Sequence, residues 1–334
     1  MIELDGSFGE GGGALVRTAL ALSAYTGKSF EVKNIRAGRK VPGLKAQHLS
    51  AIEILKELCD AKTNEIAIGT TSLRFIPNKI KSGIFEVDIG TAGSISLVLQ
   101  ALILPSMFAP GKVTLIIKGG TCGKWQASVD YIQNVLFPHL QRFAKLELKV
   151  LKRGYFPRGG GEVKVEITPH KGATKIVLED RGDLEQVKGR INLSKELEEN
   201  EVGERILHTI KGAFDVPTRV EVEYVQSDSI GGDVILWAVF GDGSIRLGAN
   251  SLVEKRKSSE EVGKAAVAAL QKEIGTGFPV DHFLADQLIP FMGLLPGSII
   301  DTNIASDHLK TNIYVVEKFL PIRFTIKNNT ISSQ

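Results

Sequence analysis

From residue 2 to residue 168 the sequence runs twice through one order of elements, β-α-β-α-β-β. A chain that repeats a unit of this kind is restricted to folds in which the copies pack around a shared core. In the first copy residues 2–5 predict a strand, the run Gly6-Ser7-Phe8-Gly9-Glu10-Gly11-Gly12-Gly13 opens a helix over 14–25, and 30–35 is a second strand. A helix over 45–59 follows, with Leu49, Ile52 and Leu55 facing inward, and strands at 65–68 and 72–76 close the copy. The second copy has strand 84–89, loop Gly90-Thr91-Ala92-Gly93-Ser94, helix 95–108, strand 113–118, loop Gly119-Gly120-Thr121 and helix 127–144. Strands 146–151 and 162–168 end it, joined through Tyr155-Phe156-Pro157-Arg158-Gly159-Gly160-Gly161.

A third copy starts with a strand at 174–178, but its first helix is delayed to 280–294; strand 298–301, helix 308–320 and strand 322–327 then follow. Between them lie strands at 187–193, 219–224, 234–240 and 244–247 and helices at 202–214 and 259–274, enough apolar periodicity for a small α/β domain. The expected fold class is α+β: a large domain of three repeats over 1–180 plus 278–334, and an inserted α/β domain over 181–277. A length of 334 residues is sufficient for two cores.

With 43% hydrophobic and 24% charged residues the chain reads as an ordinary globular protein rather than a disordered one. No apolar run reaches membrane-spanning length, and Met1-Ile2-Glu3-Leu4-Asp5 lacks the basic and apolar regions of a signal peptide, so a cytoplasmic protein without a membrane partner is expected. Cys59 and Cys122 are too few for a disulfide framework or a cysteine-rich zinc site and read as packing residues. A net charge of +3 permits an anionic partner without demanding one.

In each copy the loops before the two helices fall at matching ends of a sheet, so a pseudo-threefold arrangement gathers them around one axis. The first copy then supplies Glu10, Arg17, Arg36, Arg39, Gln47 and His48, the second Gln100 and Thr121, the third Asp286, Gln287 and His308. Arginines recognise phosphate oxygens, carboxylates hold Mg²⁺ and a histidine can carry a covalent group, a set suited to nucleotidyl or phosphoryl transfer. Each piece has a plainer reading beside it. Gly11-Gly12-Gly13 is also a tight turn without the Lys-Ser ending of a P-loop, Arg36 and Arg39 fit a solvated loop, Asp286 and Gln287 fit the polar face of a helix, and His48 fits a satisfied, semi-buried position. Neither His-x-x-x-His nor Cys-x-x-Cys occurs.

His308 follows the strand at Ile299 and Ile300, while Leu309, Ile313, Val316 and Leu320 share one helical face. Ser306 or Asp307 therefore caps a helix with His308 in its first turn. There the free N–H groups and the helix dipole favour a neutral imidazole and attract phosphate, the setting for a histidine nucleophile.

The sequence resembles the RNA 3'-terminal phosphate cyclases. The resemblance is carried by Asp5 to Gly13, by Ile35-Arg36-Ala37-Gly38-Arg39 with Pro42-Gly43-Leu44 and Gln47-His48-Leu49, and by Gly90 to Ser94 with Leu97-Val98-Leu99-Gln100. Phe283-Leu284-Ala285-Asp286-Gln287-Leu288, His308-Leu309 with Thr311-Asn312, and Val316-Glu317-Lys318-Phe319-Leu320-Pro321 complete it. It implies three repeats like the C-terminal domain of a translation initiation factor with a small domain inserted in the third. It also implies a reaction: ATP adenylates a histidine, the AMP passes to an RNA 3'-phosphate, and the vicinal 2'-hydroxyl displaces AMP to leave a 2',3'-cyclic phosphate.

By the same resemblance His308 is the nucleophile, and Glu10 holds a divalent metal, Mg²⁺ or Mn²⁺, on the ATP phosphates. Arg17, Arg36 and Arg39 neutralise phosphates, and Gln100 with Phe283, Leu284, Ala285, Asp286 and Gln287 lines the nucleotide pocket. The partners implied are ATP and an RNA 3'-phosphate end, with no DNA required. The chain departs from its relatives at Ala127 and Ser128, where many carry prolines over the adenine, and at Phe283, where a tyrosine is common. A non-enzymatic branch that acts in ribosome biogenesis lacks the histidine, and enolpyruvyl transferases have more repeats and need no such histidine; His308 speaks against both, and a generic phosphate-binding module stands as a third alternative.

Overall fold

A computed structural model describes residues 1–303 and 306–334; Ile304 and Ala305, two residues of the stretch ahead of His308, lie outside the described residues. The first sheet is built from β1 (Ile2–Asp5), β2 (Phe30–Lys33), β3 (Lys62–Thr63) and β4 (Leu73–Ile76), with α1 (Ala14–Thr26) crossing from β1 to β2 and α2 (Ala46–Leu58) following β2. Its order is β1-β2-β4-β3, parallel only between β1 and β2. The second sheet holds β5 (Gly83–Asp88), β6 (Val113–Gly119), β7 (Ala144–Lys152) and β8 (Gly161–Pro169) in the order β5-β6-β8-β7, again parallel only in the first pair. Between β5 and β6 runs α3 (Ile95–Ser106). Between β6 and β7 runs a continuous helical segment: α4 (Val129–Tyr131), a π turn over Ile132–Leu136, and α5 (Phe137–Leu140).

A short strand β9 (Val177–Leu178) is followed by β10 (Leu184–Ser194), α6 (Val202–Ile210), β11 (Thr218–Val225), β12 (Gly232–Phe240), β13 (Ile245–Leu252) and α7 (Ser259–Gly275), whose strands form a separate sheet, β11-β10-β12-β13. The chain continues with α8 (His282–Leu294), β14 (Ile299–Asp301), α9 (Asp307–Phe319), β15 (Phe324–Lys327) and β16 (Thr330–Ser333). The last sheet has the order β9-β14-β16-β15, with β9 and β14 parallel and the other pairs antiparallel. The fold is mixed α+β, made of four small mixed sheets.

The helices meet each other inside. α1 packs against α2, α3 and α9, and α8 against α9, while β4 and β7 alternate buried and exposed side chains so that one face covers the helices and the other meets water. From Ala14 to Ala24 every residue of α1 is buried, Arg17 and Thr18 included. A helix apolar nearly all round is enclosed on every side. Strand β12 is buried along its whole length. The sheet containing it abuts the second unit where Gly248 of β13 lies against Tyr131 and Val135, and Tyr131 OH donates to Asp281 Oδ1 at 2.6 Å.

Several boundaries differ from the sequence reading. Residues 65–68 are loop, not strand: Asn64 Oδ1 accepts from Arg74 N at 2.7 Å and Ile68 is exposed, so the alternating Glu-Ile-Ala-Ile pattern has no sheet to face. The helix expected over 127–144 is shorter because Ser128 Oγ caps it, accepting from Tyr131 N, and Ala144 already pairs with Pro169 in the sheet. Helix α6 stops at Ile210, short of the expected 214, with Gly212 in the left-handed region at φ 75°. Strand β16 is absent from the reading because its apolar face is only Ile331 among Thr and Ser.

Candidate active site

Residues of α1, α3, α8 and α9 wall an open cleft. Its lining combines the apolar Leu97, Ile103, Leu104, Leu136 and Phe291 with the polar Arg17, Gln100, Asp286, Gln287, His308 and Asn312. Phe283, Trp125 and Ala127 complete the wall.

His308 is in the first turn of α9 and half-exposed. Of the two candidate caps, Ser306 serves: its Oγ accepts from Leu309 N at 2.9 Å and donates to Asp286 Oδ1 at 2.5 Å, tying α9 to α8. Asn312 Nδ2 donates to Asp286 O and Thr18 Oγ1 donates to Asn312 Oδ1, both at 2.7 Å, which joins α1 to the same frame. Burial pushes the Asp286 carboxyl well above its ordinary range, although the Ser306 hydrogen bond and His308 pull the other way.

His308 Nδ1 stands 2.9 Å from Glu10 Oε1. The ring is turned so that the pair lacks good hydrogen-bond alignment and Oε1 has no aligned donor. Two lone pairs at that separation would repel, so the proton belongs on Nδ1 and the lone pair on Nε2. Catalytic hydrogen bonds are often loose before substrate binds. Glu10 Oε2 takes Arg39 Nη2 at 2.5 Å. Burial pushes the Glu10 carboxyl up, but the contact with His308 and the charges of Arg39 and Arg17 outweigh it and hold it below its ordinary value.

The glycines around Glu10 are there for space. A Cβ on Gly12 would fall 2.1 Å from Glu10 Oε1, and one on Gly9, at φ 63°, would fall 2.4 Å from Thr311 Oγ1 of α9. With side chains at those positions, the loop could not lay Glu10 against α9.

Arg17 is buried, and its Nε donates to Gln100 Oε1 at 2.9 Å. Burial, together with the charges of Arg36 and Arg39, pulls its guanidinium down to about 10 against the pull of Glu10, which leaves it cationic at neutral pH. Arg36 directs Nη1 into its own loop, donating to Val41 O at 2.8 Å and Gly43 O at 2.9 Å. Phe283, Asp286 and Gln287 line the cleft. Leu284 and Ala285, expected beside them, are buried in the core at 0% and 1% exposure.

Gln47 and Thr121 do not reach the cleft either: Gln47 Oε1 accepts from Ser94 N at 3.2 Å and Thr121 is buried against Gly154. His48 is fully buried rather than semi-buried, with Nε2 unpartnered. Trp125 sits at the rim, 94% exposed, with φ 59°, Ala127 lies in the wall, and Ser128 is buried as a helix cap. Thr18 and Asn312 were not singled out as candidates by sequence. The available signal was a polar side chain at each position on an otherwise apolar helix face.

Residues 8–326 match the profile of the RNA 3'-terminal phosphate cyclase family. The chain belongs to that family. An RNA 3'-terminal phosphate cyclase of Methanopyrus kandleri is 39% identical over 98% of this chain and 95% of its own length. Cyclases of the same name from Methanococcoides burtonii and Pyrococcus furiosus are each 40% identical, covering 99% and 98% of this chain and 98% and 95% of their own. The matched range includes Glu10, His308 and the residues that line the cleft. Among the described residues no helix is long and apolar enough to cross a membrane, and no group of three or more His, Cys, Asp or Glu is placed to hold a metal.

Proposed function

We propose that this protein uses ATP to convert an RNA 3'-phosphate into a 2',3'-cyclic phosphate, with AMP carried on His308. In the first step His308 Nε2 attacks the α-phosphorus of ATP, and the P–O bond to pyrophosphate breaks. In the second an oxygen of the RNA 3'-phosphate attacks the same phosphorus and the P–N bond breaks, which returns the histidine. In the third the vicinal 2'-oxygen, losing its proton, attacks the 3'-phosphorus and AMP leaves. A phosphate monoester is a poor electrophile until AMP is its leaving group, and the neighbouring hydroxyl then reacts intramolecularly.

The observation that carries this reading is the pairing of His308 Nδ1 with the Glu10 carboxylate, which leaves the Nε2 lone pair on the wall of a cleft that also holds a buried arginine. The apolar lining of the cleft and Phe283 suit the adenine, with Gln100, Asp286 and Gln287 as its polar neighbours. Arg17 and Arg39, with the charge of Arg36 behind them, balance phosphate charge.

A divalent ion, Mg²⁺ or Mn²⁺, fits Glu10: Oε1 is a buried acceptor without an aligned donor, and one carboxylate plus substrate phosphates is a usual Mg²⁺ environment. Bound there, the ion would neutralise charge on the triphosphate. We read the three sheets of like order as three copies of one β-α-β-α-β-β unit, as in the C-terminal domain of a translation initiation factor, with 181–277 as the inserted domain. We also read the protein as cytoplasmic.

The test is incubation with α-labelled ATP. The cyclase reading requires an acid-labile, covalent AMP adduct that is absent in His308→Ala, and conversion of a 3'-phosphate oligoribonucleotide to its cyclic form. His308→Ala should still close an RNA supplied already adenylated at its 3'-phosphate, since that step needs positioning alone. Adduct persisting in His308→Ala would remove His308 from the role, and no adduct in the parent would favour a binding protein.

A further inference from the structure

Phe283 lines the cleft and is only half-buried, so its ring depends on its neighbours for a fixed position. Its backbone is held by Asp281, the N-cap of α8: Oδ1 accepts from Phe283 N at 3.0 Å and from the Tyr131 hydroxyl at 2.6 Å, while Oδ2 accepts from Gly248 N of β13 at 2.8 Å. The ring has two aromatic neighbours. Tyr131 meets it edge-on, with centroids 5.9 Å apart and planes at 71°, and His282 leans over it, with centroids 4.0 Å apart and planes at 36°.

Consecutive side chains of a helix do not ordinarily face each other. His282 is turned back onto Phe283 by a contact from outside α8: its Nδ1 donates to Glu273 Oε1 at 2.6 Å. Glu273, 12% exposed, lies in the last turn of α7, within the segment 181–277 read above as the inserted domain. A carboxylate at the negative end of a helix is disfavoured unless a cation meets it, and a cation over an aromatic face is attracted by the ring, so both contacts favour a protonated imidazole. Burial works against that charge, but the hydrogen bond and charge of Glu273, with the charges of Asp281 and Asp286, outweigh it and hold the pKa of His282 above its ordinary value. Among the described residues, neither His282 nor any residue of 181–277 lines the cleft.

We propose that His282 is a positioning residue for the nucleotide: clamped by Glu273, it fixes the ring of Phe283 against which the base packs, so that the segment 181–277 sets the affinity for ATP without lining its cleft. This rests on the adenylate-transfer reading. A ring already held in place costs the incoming base nothing to order, whereas a free ring must be immobilised as the base binds, at about 0.5–1.5 kcal/mol, or roughly three- to tenfold in affinity. The effect passes through Phe283 alone. It therefore acts on ATP binding and leaves the attack of His308 on the α-phosphorus as it is.

The experiment follows single-turnover formation of the AMP adduct from α-labelled ATP and reads two quantities, the half-saturating ATP concentration and the rate at saturation. At about pH 6, below the ordinary histidine pKa, His282→Ala should raise half-saturation about three- to tenfold and leave the saturating rate within about twofold. His282→Arg keeps a cation for Glu273 and a flat group for the Phe283 face, and should return half-saturation to within about twofold of the parent. As pH rises past the titration of His282 the parent should approach the alanine variant while His282→Arg does not; comparing the proteins at each pH cancels the titrations they share, that of His308 included. Glu273→Gln, which keeps an acceptor and drops the charge, should move the parent's rise to lower pH. In a Phe283→Leu background, His282→Ala should add less than about twofold. Unchanged half-saturation in His282→Ala, a loss in saturating rate instead, an arginine variant as poor as alanine, a pH response shared by the arginine variant, or the full loss in the Phe283→Leu background would each overturn the positioning role. A parent that forms no adduct overturns the cyclase reading, and this inference with it.

Discussion

Replacing Glu10 by glutamine should damage adenylation more than replacing it by alanine, the reverse of what similarity in shape suggests. Both neighbours of the carboxylate are donors: Arg39 Nη2 at 2.5 Å on one oxygen and His308 Nδ1 at 2.9 Å from the other. A glutamine amide offers one acceptor and one donor. Arginine has no acceptor to offer, so it keeps the amide oxygen and turns the NH₂ toward His308. Only the imidazole can adapt, by moving its proton from Nδ1 to Nε2, the nitrogen that must be free to attack. In a serine-histidine-aspartate triad the same carboxylate-to-amide exchange costs about 10⁴ in kcat through the wrong tautomer.

Alanine removes the carboxylate beside His308, a contact worth about 1.5–3 kcal/mol or roughly ten- to a hundredfold once it aligns with substrate bound, but leaves the half-exposed ring free to adopt either tautomer. Single-turnover formation of the AMP adduct from α-labelled ATP should thus fall about 10–100-fold in Glu10→Ala and about 10²–10⁴-fold in Glu10→Gln. Raised Mg²⁺ should recover part of the loss in alanine and little in glutamine. Glu10→Gln as fast as Glu10→Ala, or faster, would refute the tautomer argument and leave Glu10 a charge or metal ligand only.

Trp125→Ala should raise the Michaelis constant for ATP by up to about tenfold if the indole swings over the base in place of the missing prolines, since one decade is about 1.4 kcal/mol. ATP should also quench fluorescence in the parent, where the other tryptophan, Trp237, is buried; no response in either measurement leaves Trp125 as surface. Arg39→Lys should recover little of the adenylation lost in Arg39→Ala if the guanidinium must span Glu10 and a phosphate, and full activity in the lysine variant would mean that charge alone suffices. Acid should destabilise the fold through His48 and His139, both held near 3 by burial against 6.5 when unfolded. Above pH 6.5 neither state binds the protons; between 6.5 and about 3 only the unfolded chain does, so stability falls by up to about 1.4 kcal/mol per pH unit for each histidine. His139→Gln should flatten the pH dependence of the urea midpoint in that window, and an unchanged slope would contradict the assignment.

The sequence by itself determined the order of most elements and nominated the residues proposed here as reactive. Periodicity and glycine punctuation mark most helices and strands because these are local properties, and Ser306 with His308 at the start of α9 is legible because helix capping is a matter of adjacent residues. It failed where neighbours distant in the chain decide: residues 65–68 have the alternation of a strand but no edge to pair with, and β16 has little apolar pattern but an edge to join. Only the tertiary structure decided which face of each helix meets the cleft. Leu284 and Ala285 share a motif with Asp286 and Gln287 yet point into the core, and Gln47 and His48 are adjacent yet serve different partners. The pairing of Glu10 with His308, 298 positions apart, is likewise invisible to any local rule. A side chain's protonation and direction depend on what the fold brings within a few ångströms, and for Glu10 and His308 that is set by the packing of α1 against α9 and by the glycines that let the loop approach.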